Sequence, residues 1–187
     1  DNPNTDFHTM VSEMAKIDRK KAKTINLGLF YGMGKGKLSS ELGLSPGQAE
    51  DLFEKYHSRV PFVKEMIERT MKKAADVGHV RTLLGRKCRF DLWEPSRYGV
   101  HRPLPRDEAE REHGKQIRRA FTYKALNKII QGSAADMTKK AMADLHDEGI
   151  IPHIQVHDEL DCSFEDEVEK DRILEIMRNA VQLDCLL

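Results

Sequence analysis

At 187 residues, with 39% hydrophobic, 33% charged and 6% aromatic residues, the chain can bury a core as one domain or two small subdomains, which excludes a disordered tail. It holds no apolar run of about 18 residues, so neither a membrane-spanning helix nor a membrane partner is expected. The 31 basic and 31 acidic residues cancel, yet they are segregated. Lys16, Arg19, Lys20, Lys21, Lys23, Lys35 and Lys37 crowd one segment against the single acid Asp18, whereas acids dominate from Asp144 onward. A basic stretch suits polyphosphate and an acidic one suits metal ions.

The start, Asp1-Asn2-Pro3-Asn4, lacks both an initiator Met and a secretory pattern, and reads as the middle of a longer protein. Cys88, Cys162 and Cys185 have no metal-ligand spacing and fit reduced thiols in a cytosol-like compartment.

In chain order, residues 10–31 predict a helix rich in Lys, Met and Ala, broken by Gly32-Met33-Gly34-Lys35-Gly36. Ser45-Pro46 is a strong helix start, running to about Ser58, and Pro61 opens another helix that Gly78 stops. Val80–Leu84 predicts a short strand closed by Gly85. Residues 91–115, with three prolines and two glycines among charges, read as a surface excursion with a short helix at 106–112. A long helix is expected from about Gln116 to Glu148, interrupted or relaxed at Gly132 and ended by Gly149. Strands follow at Ile150–Val156 and Leu160–Phe164, with His157-Asp158-Glu159 at the hairpin tip. Residues 166–180 close the pattern as an amphipathic helix whose apolar face is Val168, Ile173, Ile176 and Met177. The fold class is α+β: mainly helical, with an antiparallel β-hairpin late in the chain.

Arg19, Lys23, Leu27 and Tyr31 recur every fourth residue, so they line one side of a helix over about 18 Å, drifting only about 40° per step. The cations stand nearest the N-terminal end, where the helix dipole also favours anions. Such a side can grip a nucleoside triphosphate; the same residues also describe a solvated basic face with Tyr31 in the core. Ala22, Ile25 and Leu29 form a separate stripe suited to packing.

This run, from Arg19 to Gly32, resembles motif B of family A DNA polymerases, R-x3-K-x3-[FY]-x3-YG, in the fingers. The resemblance implies that Arg19 and Lys23 contact the triphosphate, with Lys23 among the catalytic residues, and that Tyr31 packs near the templating base. Leu27 stands where the family has an aromatic ring against the incoming sugar, so sugar selectivity does not carry over. His8, in Asp6-Phe7-His8-Thr9, is similar to a second triphosphate contact.

Asn127 and Gln131 are one helical turn apart, so their amides share a face that can donate to minor-groove acceptors present on every base pair. Read alone they are more simply a pair of surface amides. The run Ala125–Asp136 resembles the family's A-x-N-x-x-x-QG-x-AAD helix, which tracks primer–template DNA. Gln155-Val156-His157-Asp158-Glu159-Leu160 sets adjacent carboxylates at a turn, suited to hard cations, though an isolated Asp-Glu pair is also an ordinary acidic turn. It looks like the family's motif C. That implies Asp158 as a catalytic metal ligand, Glu159 as an accessory catalytic carboxylate, and His157 as a contact at the primer terminus.

Together with Gly78-His79-Val80-Arg81-Thr82-Leu83-Leu84-Gly85-Arg86, these motifs occur in the family's order over about residues 6–164. The implied enzyme is a DNA-directed DNA polymerase using a two-metal Mg²⁺ centre, deoxynucleoside triphosphates and primer–template DNA, in the cytoplasm of a bacterium or phage-infected cell. The expected organisation is a fingers subdomain over 1–115 and a partial palm over 116–187. Motif A, which carries the other principal carboxylate, has no counterpart here, so the isolated chain is expected to be inactive. The length of 91–115 and the Leu27 departure point to a phage enzyme. Two other classes remain: a nucleic-acid-binding module without catalysis, and a metal-dependent phosphohydrolase built on His153, His157 and Asp158. The 32–36 glycine run lacks the spacing of a P-loop.

Overall fold

The computed structural model describes residues 7–97 and 99–183. Asp1–Asn4, Asp6 and Cys185, singled out above, lie outside them. The fold is predominantly helical with small antiparallel sheets, as the sequence pattern implies. The described residues pack as two compact units, one reaching Val80 and including Arg89–Asn127, the other joining Arg81–Cys88 to the residues from Lys128 onward.

The first unit opens with α1 (Phe7–Ala15) and α2 (Arg19–Phe30), two helices where residues 10–31 predict one. Lys16 takes a positive φ of 53°, and Asp18 starts a fresh helix by accepting from the Lys21 N–H at 2.9 Å. Asp18 is thus an N-cap in the middle of the basic run. Helix α3 (Lys35–Leu42) was hidden by its glycines: Gly34 is its N-cap, Gly43 its left-handed C-cap, and only Leu38 is fully buried.

Helix α4 (Pro46–Arg59) begins where Ser45-Pro46 predicts, with a full capping box. The Gln48 N–H donates to Ser45 Oγ and the Ser45 N–H donates to Gln48 Oε1. Helix α5 (Pro61–Val77) ends at Gly78, whose φ of 78° is a left-handed cap. A Cβ there would also stand 2.7 Å from the Arg119 guanidinium, the movable end of that side chain, so it is the positive φ that calls for glycine. These helices close around Val11, Ile25, Leu29, Leu38, Leu52 and Val63.

Strands β1 (His79–Arg81) and β2 (Lys87–Arg89) pair as a two-stranded sheet. The predicted Val80–Leu84 strand therefore ends early: Leu83 and Leu84 occupy the turn, exposed, and the Gly85 N–H donates to the Thr82 carbonyl at 3.0 Å. The expected excursion is in fact a folded sheet. Strand β3 (Leu92–Pro95) lies between β4 (Leu104–Pro105) and β5 (Ile117–Arg119), antiparallel to both, with α6 (Arg106–His113) connecting them. Arg118 pairs across strands with Glu94. The Trp93 ring lies near the guanidinium groups of Arg119, at 4.5 Å, and Arg106, at 5.1 Å.

That pairing is why no helix begins at Gln116. Residues 117–119 are committed to the sheet, Phe121 turns the chain with a φ of 61°, and a 3₁₀ turn (Thr122–Lys124) leads into α7 (Ala125–Asp147). Gly132 does not relax α7, which is continuous through it.

In the second unit Leu145, Ile150 and Ile173 form the core, with Leu160, Ile176 and Met177 against it. Strands β6 (Ile154–Val156) and β7 (Glu159–Asp161) pair antiparallel, shorter than the predicted runs. Val156 faces Glu159 in register, so the loop is His157-Asp158 alone, and Glu159 belongs to a strand. Helix α8 (Glu167–Asn179) buries Ile173, whereas Val168, placed on its apolar face by sequence, is 76% exposed.

Candidate functional site

Helix α2 divides its faces as the four-residue spacing implies. Ala22, Ile25 and Leu29 are buried, while Arg19, Lys23 and Leu27 are exposed, Leu27 by 41%, and Tyr31 is half-buried at the C-cap. Anchored by its apolar stripe, the helix presents its cations to solvent without their charge entering the core.

His8, on α1, is joined to this helix through Asn26. The Asn26 amide Nδ2 donates to His8 Nδ1 at 3.0 Å, and the Tyr56 hydroxyl donates to Asn26 Oδ1 at 3.0 Å. Asn26 is 8% exposed and Tyr56 2%. Burial pushes the Tyr56 phenol up to about 12, so it stays a donor across the working range. Sequence reading missed both residues. The available signal was a polar amide among Ala22, Ile25 and Leu29, because a buried amide needs partners.

Tyr31 and Asn127 share a cleft of about 520 Å³, whose walls also include Lys37, Tyr123 and Lys124. The Lys124 ammonium lies 4.7 Å from the Phe121 ring centroid and 5.6 Å from that of Tyr123. Aromatic rings beside cations suit a flat, electron-rich or anionic ligand. Asn127 is half-buried, and Gln131, one turn further along α7, is exposed.

In the second unit the Arg81–Cys88 turn is fastened to α7. The Leu83 N–H donates to Ser133 Oγ at 3.0 Å, Arg86 Nε donates to Asp136 Oδ1 at 2.7 Å, and Arg86 Nη2 donates to the Gly132 carbonyl at 3.1 Å. Burial acts to raise the Asp136 carboxyl, but the neighbouring Thr82 hydroxyl and the Arg86 guanidinium outweigh it and hold the group below the usual carboxylate value.

His157 takes a φ of 56°, uncommon for a residue with a side chain, and its carbonyl accepts from Gln155 Nε2 at 2.7 Å. Asp158 is exposed and lines a cleft of about 260 Å³ with Ala134, Met137, Thr138, Met177 and Arg178. Glu159 and Asp161 alternate with Leu160 and face solvent. Among the described residues no three His, Cys, Asp or Glu side chains are grouped to hold a metal ion. Mg²⁺ keeps several waters and is usually held by one or two carboxylates plus substrate phosphates, so Asp158 can supply one ligand, and the remaining lining of its cleft, an arginine and mainly apolar side chains, adds no second carboxylate. These residues therefore do not make a metal site by themselves.

Comparison with known proteins gives a consistent answer. Residues 4–187 match the family model described as DNA polymerase family A. The chain is 34% identical, over 97% of its length, to the DNA-directed DNA polymerase of Pseudomonas phage M6, covering 29% of that protein. It is 38% identical, over 90% of its length, to the thermostable DNA polymerase I of Thermus filiformis, covering 19% of it. In structure it is similar to the POL domain of Pol1 from M. smegmatis, in a complex with DNA primer-template and dNTP: TM-score 0.70, 29% identity, 98% of this chain and 32% of that one. The chain thus spans less than a third of the length of these relatives.

Proposed function

The chain belongs to DNA polymerase family A, and from that premise we propose that it is the fingers and part of the palm of a DNA-directed DNA polymerase. Fingers are assigned to residues 1–115 and palm to 116–187. The reaction is attack of a primer 3′-oxygen on the α-phosphate of a deoxynucleoside triphosphate, with pyrophosphate leaving. The observation that carries this reading is the two-faced α2 helix, with Arg19 and Lys23 exposed above a buried Ala22–Ile25–Leu29 stripe.

In this reading Arg19, Lys23 and His8 hold the triphosphate, neutralising charge and aligning it for displacement. Leu27 lies beside the sugar, and Tyr31 borders the nascent base pair from the cleft it shares with Asn127. Asn127, Gln131 and His157 touch the primer duplex through contacts common to all base pairs. Mg²⁺ is the family's metal and supplies electrostatic stabilisation when bound. Asp158 is assigned as one ligand and Glu159 as an accessory carboxylate, with the remaining ligands outside the described residues.

The test is primer extension by the intact polymerase carrying these residues. Asp158→Ala should abolish templated synthesis while DNA binding persists. Lys23→Ala should lower kcat/KM for the nucleotide by about tenfold to a hundredfold, the loss of a charged hydrogen bond. Template-independent hydrolysis of nucleotides by the wild type, without synthesis, would overturn the assignment.

A further inference from the structure

Asn26 lies on the packed side of α2 but close to the line of the cations. Seven residues separate it from Arg19, two helical turns and only about 20° of rotation. The hydrogen bond from Asn26 to His8 therefore sets the imidazole on α1 alongside the basic face of α2. Tyr56, on α4, donates to the amide oxygen and so leaves the amide nitrogen as the group that faces His8. An amide N–H can only donate, so His8 Nδ1 accepts and the ring proton of the neutral imidazole resides on Nε2.

We propose that Tyr56 and Asn26 are positioning residues for nucleotide binding: a buried Tyr56→Asn26→His8 hydrogen-bond relay that holds the His8 ring with Nε2–H as its donor toward the anionic ligand of Arg19 and Lys23. This rests on the polymerase reading of the α2 face. It adds to that reading two residues that touch no ligand, and gives them a reason to be polar in an otherwise apolar core. Three separate helices, α1, α2 and α4, each contribute one member, so their packing sets the orientation of the histidine. Without the Tyr56 hydroxyl the Asn26 amide oxygen loses the partner that favours this orientation. That oxygen could then accept from Nδ1–H, and the other nitrogen of the ring would lose its donor.

The experiment is a double-mutant cycle in the intact polymerase, with steady-state single-nucleotide incorporation on a fixed primer–template. Tyr56→Phe keeps the buried ring and removes only the hydroxyl. It should raise the nucleotide KM by about three- to tenfold, the range of one hydrogen bond, with kcat within about twofold and primer–template Kd unchanged. His8→Ala should raise the same KM, and Tyr56→Phe should then add nothing in the His8→Ala background. An equal effect of Tyr56→Phe in both backgrounds, or a matching loss of DNA affinity, would show a general structural role and overturn the relay. If His8→Ala raises KM and Tyr56→Phe is silent, the relay falls while the triphosphate reading stands. If His8→Ala is itself silent, His8 is not a nucleotide contact and the relay falls, while the Arg19 and Lys23 reading stands or falls on Lys23→Ala.

Discussion

Gly132→Ala decides whether the glycine in α7 is a helix weakness or a docking requirement, because the two readings predict opposite signs. In a helix interior, replacing glycine with alanine normally stabilises by about 1 kcal/mol. Here an added Cβ would stand 2.9 Å from Thr82 Cγ2, 3.2 Å from Arg86 Nη2 and 3.7 Å from Cys88 Sγ. Thr82 cannot readily turn away: it is 5% exposed, and its Oγ1 accepts from the Arg86 N–H at 3.0 Å. Overpacking of this kind costs about 1–3 kcal/mol, so the net is a loss of roughly 1 kcal/mol after the propensity gain. The loss should be local. Amide hydrogen exchange at Leu83, whose N–H donates to Ser133 Oγ, reads the docking directly. A 1 kcal/mol weakening should speed exchange there about fivefold, with α4 and α5 unaffected. Slower exchange at Leu83, with a net gain in stability, would refute the close-packing argument and return Gly132 to an ordinary helical position.

Other outcomes follow from the same contacts. Burial first, and Lys64 second, lower the His57 imidazole below its ordinary value, with Glu68 opposing, and its Nδ1 has no hydrogen-bond partner among the described residues. Because the folded value is depressed, the unfolded chain binds the proton first, so stability should fall as pH drops below about 6.5; urea titrations should show this slope flattened in His57→Phe. Asp136 has the carboxylate sign: its lowered folded value contributes stability present above the unfolded value and lost as pH falls through the folded one. Leu83 protection, corrected for intrinsic exchange rates, should therefore persist at neutral pH, collapse only in strong acid, and lose that profile in Asp136→Asn. Purified residues 1–187 should incorporate no nucleotide with Mg²⁺ and primer–template, since their described carboxylates form no metal-binding group; measurable extension would contradict this.

Much of the fold was legible wherever a local rule governs. Ser45-Pro46, Pro61 and Gly78 punctuate helices through their own backbone chemistry, and α4 and α5 begin and end at them. What escaped depended on partners distant in sequence. Residues 117–119 have helix-compatible letters, yet Arg118 is drawn to Glu94, and Arg119 donates to the Ala75 and Phe90 carbonyls. Gly132 reads locally as a breaker, while its reason lies 50 residues earlier, at Thr82. Asp18 is both the lone acid of the basic run and, by its place before Arg19, a helix cap, a role that charge counting does not reveal.

The candidate site divides along the same line. Arg19, Lys23, Leu27 and Tyr31 are recognisable because one helix sets their spacing, and a period of four survives whatever surrounds it. Asn127 and Gln131 share that advantage. Asn26 also lies on α2, but its importance comes from α1 and α4, which no window along the chain contains. Its clue was energetic rather than periodic. A helix that buries Ala22, Ile25 and Leu29 gains nothing from an amide beside them unless partners elsewhere satisfy both its donor and its acceptor. Contact residues can thus be found by pattern, whereas the residues that orient them are found by asking which buried polar group the pattern leaves unexplained.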